Sequence, residues 1–315
     1  MDNKNKIIEL KDKIDKTFLS IIGRKCIHVD APYYQNIGDV LIWQGCQYFY
    51  KQNNIKCIYS RSHETFDFPN ISYDTTICFN GGGNLGDLYP EHITLLKKII
   101  EHYPDNKIIV FPQTIFYHDK TKQDIDFKAL LKHGNLYLTA RDINVYSTIK
   151  PYFGDYALLA PDMAFYIPPV KLGTYPEGHG NLLISRKDCE SSNKNLSSKN
   201  ATIADWPVLI ERVRKTTLLN KLFKHISEYK IPLISTINNL LWNWYAYKFH
   251  QHLMISEGIN FIKPYNKITT TRLHGCILSI LVDKQQIELI DNSYGKNKDF
   301  YNTWLTNLET LKLIV

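Results

Sequence analysis

Three arginines stand directly after short apolar, β-branched runs: Arg141 in LTARD, Arg186 in LLISRKD and Arg272 in KITTTRLHG. A guanidinium is a rigid fork of donors that matches carboxylate and phosphate, and it keeps its charge at any physiological pH. One such residue reads first as a surface or interdomain ion pair. Three, all at the carboxyl ends of runs that read as strands, point to a convergent site for an anion. His274 follows at the start of a helical pattern, where an imidazole suits proton transfer near neutral pH. A capping or core-edge histidine is the other reading of that position.

Two glycine-containing junctions add candidates. In Ala31–Asp39 (APYYQNIGD), Asn36, Gly38 and Asp39 fall where a strand passes into a helix and backbone N–H groups point outward. Asp39 also reads as an N-cap and Gly38 as a turn residue. The stretch Asn80–Asp87 (NGGGNLGD) contains G-x-G-x-x-G at Gly81, Gly83 and Gly86, the literal dinucleotide fingerprint. That fingerprint belongs to the first βα turn and needs an acidic residue after the next strand. Phe111-Pro112-Gln113 stands there instead, so nicotinamide dinucleotide binding is rejected. The glycines serve either close backbone approach, to a ligand or a facing domain, or a tight turn.

Other chemistries find no support. H-E-x-x-H, G-x-S-x-G and P-loop patterns are absent. His250 and His252, two apart, face different sides of a helix and make a poor ligand pair. The six cysteines (26, 46, 57, 78, 189 and 276) form no C-x-x-C and mostly lie in apolar runs, where reduced buried thiols are expected. No metal site and no cofactor is expected. Trp242, Trp244 and Tyr247 could stack on sugar rings but read first as core.

The elements that must position these residues are legible as periodicity. Strands are expected at Lys25–Val29, Ile55–Tyr59, Thr75–Phe79, Lys107–Phe111, Leu136–Thr139 and Ala157–Leu159, with helical patterns between them. A Pro- and Gly-interrupted stretch, Pro168–Gly180, reads as a linker. Beyond it come a strand at Asn181–Ser185, a helix over Asp205–Tyr229, a strand at Pro232–Thr236 and an aromatic helix near Leu240–Met254. Strands at Phe261–Lys263 and Lys267–Thr271 follow, then a helix from about Gly275, a strand at Ile287–Ile290 and a last helix to the C-terminus. This alternation is the α/β signature of parallel sheets. The expected division is a Rossmann-like domain over residues 1–168, a linker over 169–180 and a second Rossmann-like domain over 181–315, leaving a cleft between them. The polar segment Lys187–Lys199 reads as a surface loop or a lid over that cleft.

With 315 residues, 44% apolar and 22% charged, the chain can bury a large core, which excludes a disordered or fibrous protein. Its net charge of +7 favours anionic substrates or an anionic membrane surface. Lys and Arg are scattered rather than striped, which argues against nucleic acid. The N-terminal 22 residues alternate charge and apolar side chains without a signal-peptide core, and the longest apolar run, Cys276–Val282, is far below spanning length. A cytoplasmic protein is expected, its first helix packing on its own domain.

In order and placement, the pieces resemble the polysaccharide pyruvyl transferases across residues 27–300. They are Asn36-Ile37-Gly38-Asp39, Gly81-Gly82-Gly83-Asn84, Pro112-Gln113, Arg141-Asp142 with Ser147, Pro161-Asp162, Ser185-Arg186, Thr271-Arg272-Leu273-His274-Gly275, Asp291-Asn292 and Lys296. The resemblance implies a fold similar to GT-B glycosyltransferases, with the active site in the cleft between two facing domains. It implies transfer of the enolpyruvyl unit of phosphoenolpyruvate to two sugar hydroxyls, giving a cyclic ketal and free phosphate. Carried over by position, Arg186, Arg272, Leu273 and His274 hold phosphoenolpyruvate, and Arg141 and Lys296 match further functional positions. His274 is the acid/base expected of that chemistry and Asp39 a base for the acceptor hydroxyl. Asn36, Gly38, Gly82, Gly83 and Asn84 fall on the acceptor side. The long polar insert after Arg186 departs from the family pattern. An acceptor in a capsule or exopolysaccharide precursor, lipid-linked at the inner face of the membrane, is the matching expectation. The competing readings are a GT-B glycosyltransferase using a nucleotide sugar and a non-catalytic carbohydrate-binding scaffold. Against the first, three strand-end arginines suit a compact dianion better than a uridine.

Overall fold

The computed structural model describes residues 1–187, 201–206, 211–229, 231–291 and 295–314. Helix α1 (Asn3–Phe18) precedes a run of parallel strands: β1 (Lys25–Val29), β2 (Lys56–Arg61), β3 (Thr76–Phe79), β4 (Gly82–Gly86), β5 (Ile108–Phe116), β6 (Leu136–Ala140) and β7 (Ala157–Leu159). Between them lie α2 (Ile37–Gln52), α3 (Pro90–His102), α4 (Lys120–Leu131) and α5 (Ile143–Phe153). The sheet order is β2-β1-β3-β5-β6-β7, with β4 beside β5. Residues Cys26–Val29 and all of β3 are buried, as expected of strands covered on both faces.

A second parallel sheet follows, ordered β12-β11-β10-β8-β9, from β8 (Asn181–Ile184), β9 (Ala201–Ala204), β10 (Lys267–Thr270), β11 (Gln286–Ile290) and β12 (Leu311–Ile314). Helices α6 (Glu211–Glu228), α7 (Pro232–Tyr245), α8 (Gln251–Ile262), α9 (Leu273–Leu281) and α10 (Lys296–Phe300) connect its strands. The molecule is thus mixed α/β with two parallel sheets. In each, the chain reverses its direction of travel across the sheet, beside β1 and β3 in the first and beside β8 and β10 in the second. At such switch points the loops leaving two neighbouring strands diverge and open a crevice.

One apolar cluster serves both sheets. It runs from Leu10, Ile14 and Phe18 of α1 through Val40 and Phe49 of α2 to Cys276 and Ile280 of α9 and Leu182 and Ile268 below it. Helix α1 packs on its own half, as expected, and also ties down the far end: the Met1 ammonium pairs with Glu309, and Asn3 Nδ2 donates to Asp283 and to the Lys284 carbonyl. Full burial of Leu10, Ile14 and Phe18 contributes about 1.5–3 kcal/mol each.

Three expected elements differ. Pro232–Thr236 is the first turn of α7, not a strand, because proline fits the first helical position and the apolar pattern continues helically to Tyr245. Phe261–Lys263 finishes α8. The C-terminus ends in β12, which pairs with β11, rather than in a helix. Strands β4 and β9 escape periodicity, one being glycine-rich and the other short. Of the expected loop or lid, residues 188–199 lie outside the described residues.

His250, in the π-helical turn Ala246–His250, is fully buried, with Nε2 donating to the Tyr34 carbonyl at 3.2 Å and Nδ1 without a partner. Burial pulls its pKa down to about 4, against the smaller opposing effect of that carbonyl. The native state therefore binds fewer protons here than the unfolded chain between pH about 6.5 and 4. Stability falls as pH drops through that window, by up to about 3 kcal/mol from this group. Denaturant midpoints measured from pH 7 to 4 should fall in the native protein and flatten in His250→Gln; identical slopes contradict the assignment.

Candidate active site

A cavity of about 410 Å³ opens where the carboxyl ends of β1, β3, β8 and β10 meet. Asn36, Asp39, Gly83 and Asn84 line it from the first sheet; Arg186, Arg272, Leu273, His274 and Lys296 line it from the second. The strand-end rule explains why residues so distant in sequence share one wall.

His274 sits in the first turn of α9, and its Nε2 is 3.2 Å from Asp162 Oδ2. Asp162 is completely buried, and it also accepts from Arg141 Nη1 at 2.9 Å and from the Ala164 amide at 2.9 Å. Burial alone would raise this carboxyl, but His274, Arg141 and the amide hold it well below the usual carboxylate range. A fixed anion thus orients the imidazole, the task the carboxylate performs in Asp–His pairs generally. Asp162 is held in turn because Gly45 of α2 lets the Met163–Tyr166 turn press against the helix: a β-carbon there would lie 1.9 Å from the Met163 carbonyl oxygen.

Arg141 was expected to touch the donor. Its guanidinium is instead buried behind the cavity wall, bonded to Asp162 and, through Nε and Nη2, to Thr114 Oγ1. Gly38 and Gly82 also stand off the lining. Gly38 has a steric purpose, since a β-carbon would lie 2.3 Å from His274 Nδ1. Gly38→Ala should therefore displace the ring and, with His274 as the candidate acid/base, lower turnover by about 100-fold. Steady-state rates beside a circular-dichroism spectrum test this; an unaltered rate contradicts it.

Asp39 Oδ2 accepts from the Tyr34 hydroxyl at 2.9 Å and from Asn36 Nδ2 at 2.7 Å, and Asn84 Nδ2 donates to the same hydroxyl at 2.9 Å. Burial, then the charges of Asp39 and Asp30, push the Tyr34 phenol well above its ordinary pKa, so it remains a donor. Asn36 also caps α2 through Gly38 N–H. Of the glycine motif, Gly83 makes room for the Lys296 ammonium, 2.4 Å from where a β-carbon would be. Gly86, at φ 144°, sits against the Phe116 carbonyl, with 1.8 Å for a β-carbon. Part of the motif thus serves close strand packing rather than a ligand. Arg272 lays its fork on Asp205, with Nη2 to Oδ2 at 2.8 Å, and Asp205 is fixed by the Lys187 and Trp206 amides.

No motif in the sequence assigns a role to Tyr34, Asp162 or Asp205, nor to Asp30, His63 and His92, which also line or back this cavity. Burial pulls His92 down, but Asp30 outweighs it and carries the imidazole up to about 9; Asp30 is correspondingly lowered. Trp242 is core, as expected, whereas Trp244 and Tyr247 are exposed.

Known proteins are similar to this chain in sequence and fold. The chain is 30% identical to "Putative pyruvyl transferase EpsO" of Bacillus subtilis, over all of this chain and 96% of that protein. It is 24% identical to "Pyruvyl transferase 1" of Schizosaccharomyces pombe, over 90% of this chain and 70% of the other. A crystal structure of an uncharacterized Klebsiella pneumoniae protein superposes with a TM-score of 0.56 at 20% identity, covering 98% of both chains, which shows a common fold. The sequence profile of the polysaccharide pyruvyl transferases matches residues 36–294, and the chain belongs to that family.

Proposed function

We propose that this transferase moves the enolpyruvyl unit of phosphoenolpyruvate onto two hydroxyls of a sugar in a surface-polysaccharide precursor, forming a pyruvate ketal and releasing phosphate. The observation that carries the reading is the meeting of Arg186, Arg272 and Lys296 with a carboxylate-held imidazole in one cavity of about 410 Å³. Such a volume suits a small anion beside a sugar ring. On this reading the two sheets belong to facing, GT-B-like halves with the reaction between them.

Phosphoenolpyruvate brings a carboxylate and a phosphate, which three cations can neutralise. In the proposed course His274 gives a proton to the methylene carbon, and positive charge develops at the adjacent carbon. Asp39 takes the proton of the first hydroxyl as its oxygen bonds there. Phosphate departs with the electrons of its C–O bond, and the second hydroxyl closes the ring as its proton passes to the now neutral His274. Arg141 acts through Asp162, which steadies the charge on His274 whenever the ring holds a proton.

A lipid-linked acceptor fits the exterior. No described helix is long and apolar enough to cross a membrane. Helix α6 nonetheless exposes Leu218 and Leu222 within a turn of Lys221 and Lys224, and α7 exposes Leu233, Ile237 and Trp244, a pattern suited to an anionic bilayer surface. Incubation with phosphoenolpyruvate and lipid-linked or free oligosaccharides should release phosphate only with an acceptor, and the acceptor should gain a ketal carboxylate. Turnover of a nucleotide sugar in place of phosphoenolpyruvate would overturn the proposal.

A further inference from the structure

Asp30, His63 and His92 come together from three separate elements: the residue after β1, the loop after β2 and the first turn of α3. One ligand atom from each lies within 4.8 Å of the others. His92 Nδ1 is 2.5 Å from Asp30 Oδ2, and His63 Nδ1 is 3.4 Å from Asp30 Oδ1. Asp30 is 5% exposed and His92 4%, while both histidines border the cavity. Asp30 Oδ1 and His63 Nδ1 are buried and face each other without hydrogen-bond geometry, and Oε2 of the adjoining Glu64 is buried without a hydrogen bond. Asp30 adopts φ 66°, a left-handed conformation costly for a residue with a β-carbon.

We propose that Asp30, His63 and His92 form a binding site for a divalent cation of the zinc class. Two imidazoles and one carboxylate are a donor set that Zn²⁺ and Co²⁺ share, and three protein ligands leave coordination positions open. Those positions face the cavity, where Glu64 and Glu91 add negative charge and Tyr34 and Asn84 stand nearby. The cation sits between the Asp30 oxygen and the His63 nitrogen, which face each other at 3.4 Å without a hydrogen bond. Its open side is suited to neutral oxygen ligands such as adjacent sugar hydroxyls. The site goes beyond the transfer reaction proposed above, none of whose steps passes through it.

The test is titration of the chelator-treated full-length protein with Co²⁺, followed by visible absorption, with Zn²⁺ as competitor and no substrate present. The expected result is one saturable equivalent whose d–d bands are lost on adding Zn²⁺. His92→Ala should weaken binding at least about 100-fold. His63→Gln, at the more exposed ligand, should do the same in a protein that keeps its fold. His179→Ala, at an exposed position, should change nothing. Absence of saturable binding, or binding that survives both substitutions, overturns the proposal. Because the readout needs no phosphoenolpyruvate, its failure is separable from failure of the transfer reaction.

Discussion

His274→Ala lowers turnover by about 10²–10⁴-fold and leaves the protein folded. The factor is what a positioned acid or base supplies, the part proposed for His274 above. The fold survives because the ring belongs to the cavity wall, with its side chain 12% exposed, while Leu273, Cys276, Ile277 and Ile280 hold α9 in the core. Asn at 274 should not restore activity, since an amide can keep a contact to Asp162 but cannot cycle a proton at neutral pH. Phosphate-release rates and thermal unfolding of both variants decide this; wild-type turnover in either removes His274 from the chemistry.

Asp162→Ala has the largest effect on stability. It strips the buried Arg141 guanidinium of its only ionic partner among the described residues, leaving Thr114 Oγ1. Removing one member of a buried pair costs about 3–5 kcal/mol. For a chain of 315 residues that is a fall of roughly 5–8 °C in unfolding midpoint. Turnover falls as well, because His274 loses the oxygen that orients it. The double variant Arg141→Met, Asp162→Leu removes both charges and should recover most of the midpoint but none of the turnover. A single variant as stable as the parent, measured by calorimetry, contradicts the pairing.

Much of the scaffold follows from local pattern. Lys25–Val29 and Ala157–Leu159 are strands at their expected bounds, and the Asn36 cap and glycine at 38 mark the start of α2. The strand-end rule located Arg186, Arg272 and His274 along the chain, yet it carries no information on which way a side chain turns. Arg141 points inward to a carboxylate 21 residues away, and Arg272 points to Asp205, 67 residues away. Both orientations are set by tertiary packing. The grouping of Asp30, His63 and His92 depends on register across β1 and β2 and on the placement of α3, so no ligand spacing announces it. Pro232–Thr236 misleads for a local reason: five residues are too few to separate strand from helix period.

The most direct test of the central claim is thermal unfolding with phosphoenolpyruvate, UDP-sugars or GDP-sugars, in wild type, Arg272→Ala and Lys296→Ala. A ligand that binds only the native state raises the midpoint with its concentration. The midpoint should rise with phosphoenolpyruvate alone, and the rise should be lost or strongly reduced in both variants. A rise with a nucleotide sugar and none with phosphoenolpyruvate would contradict it, leaving the fold in place and the donor wrong.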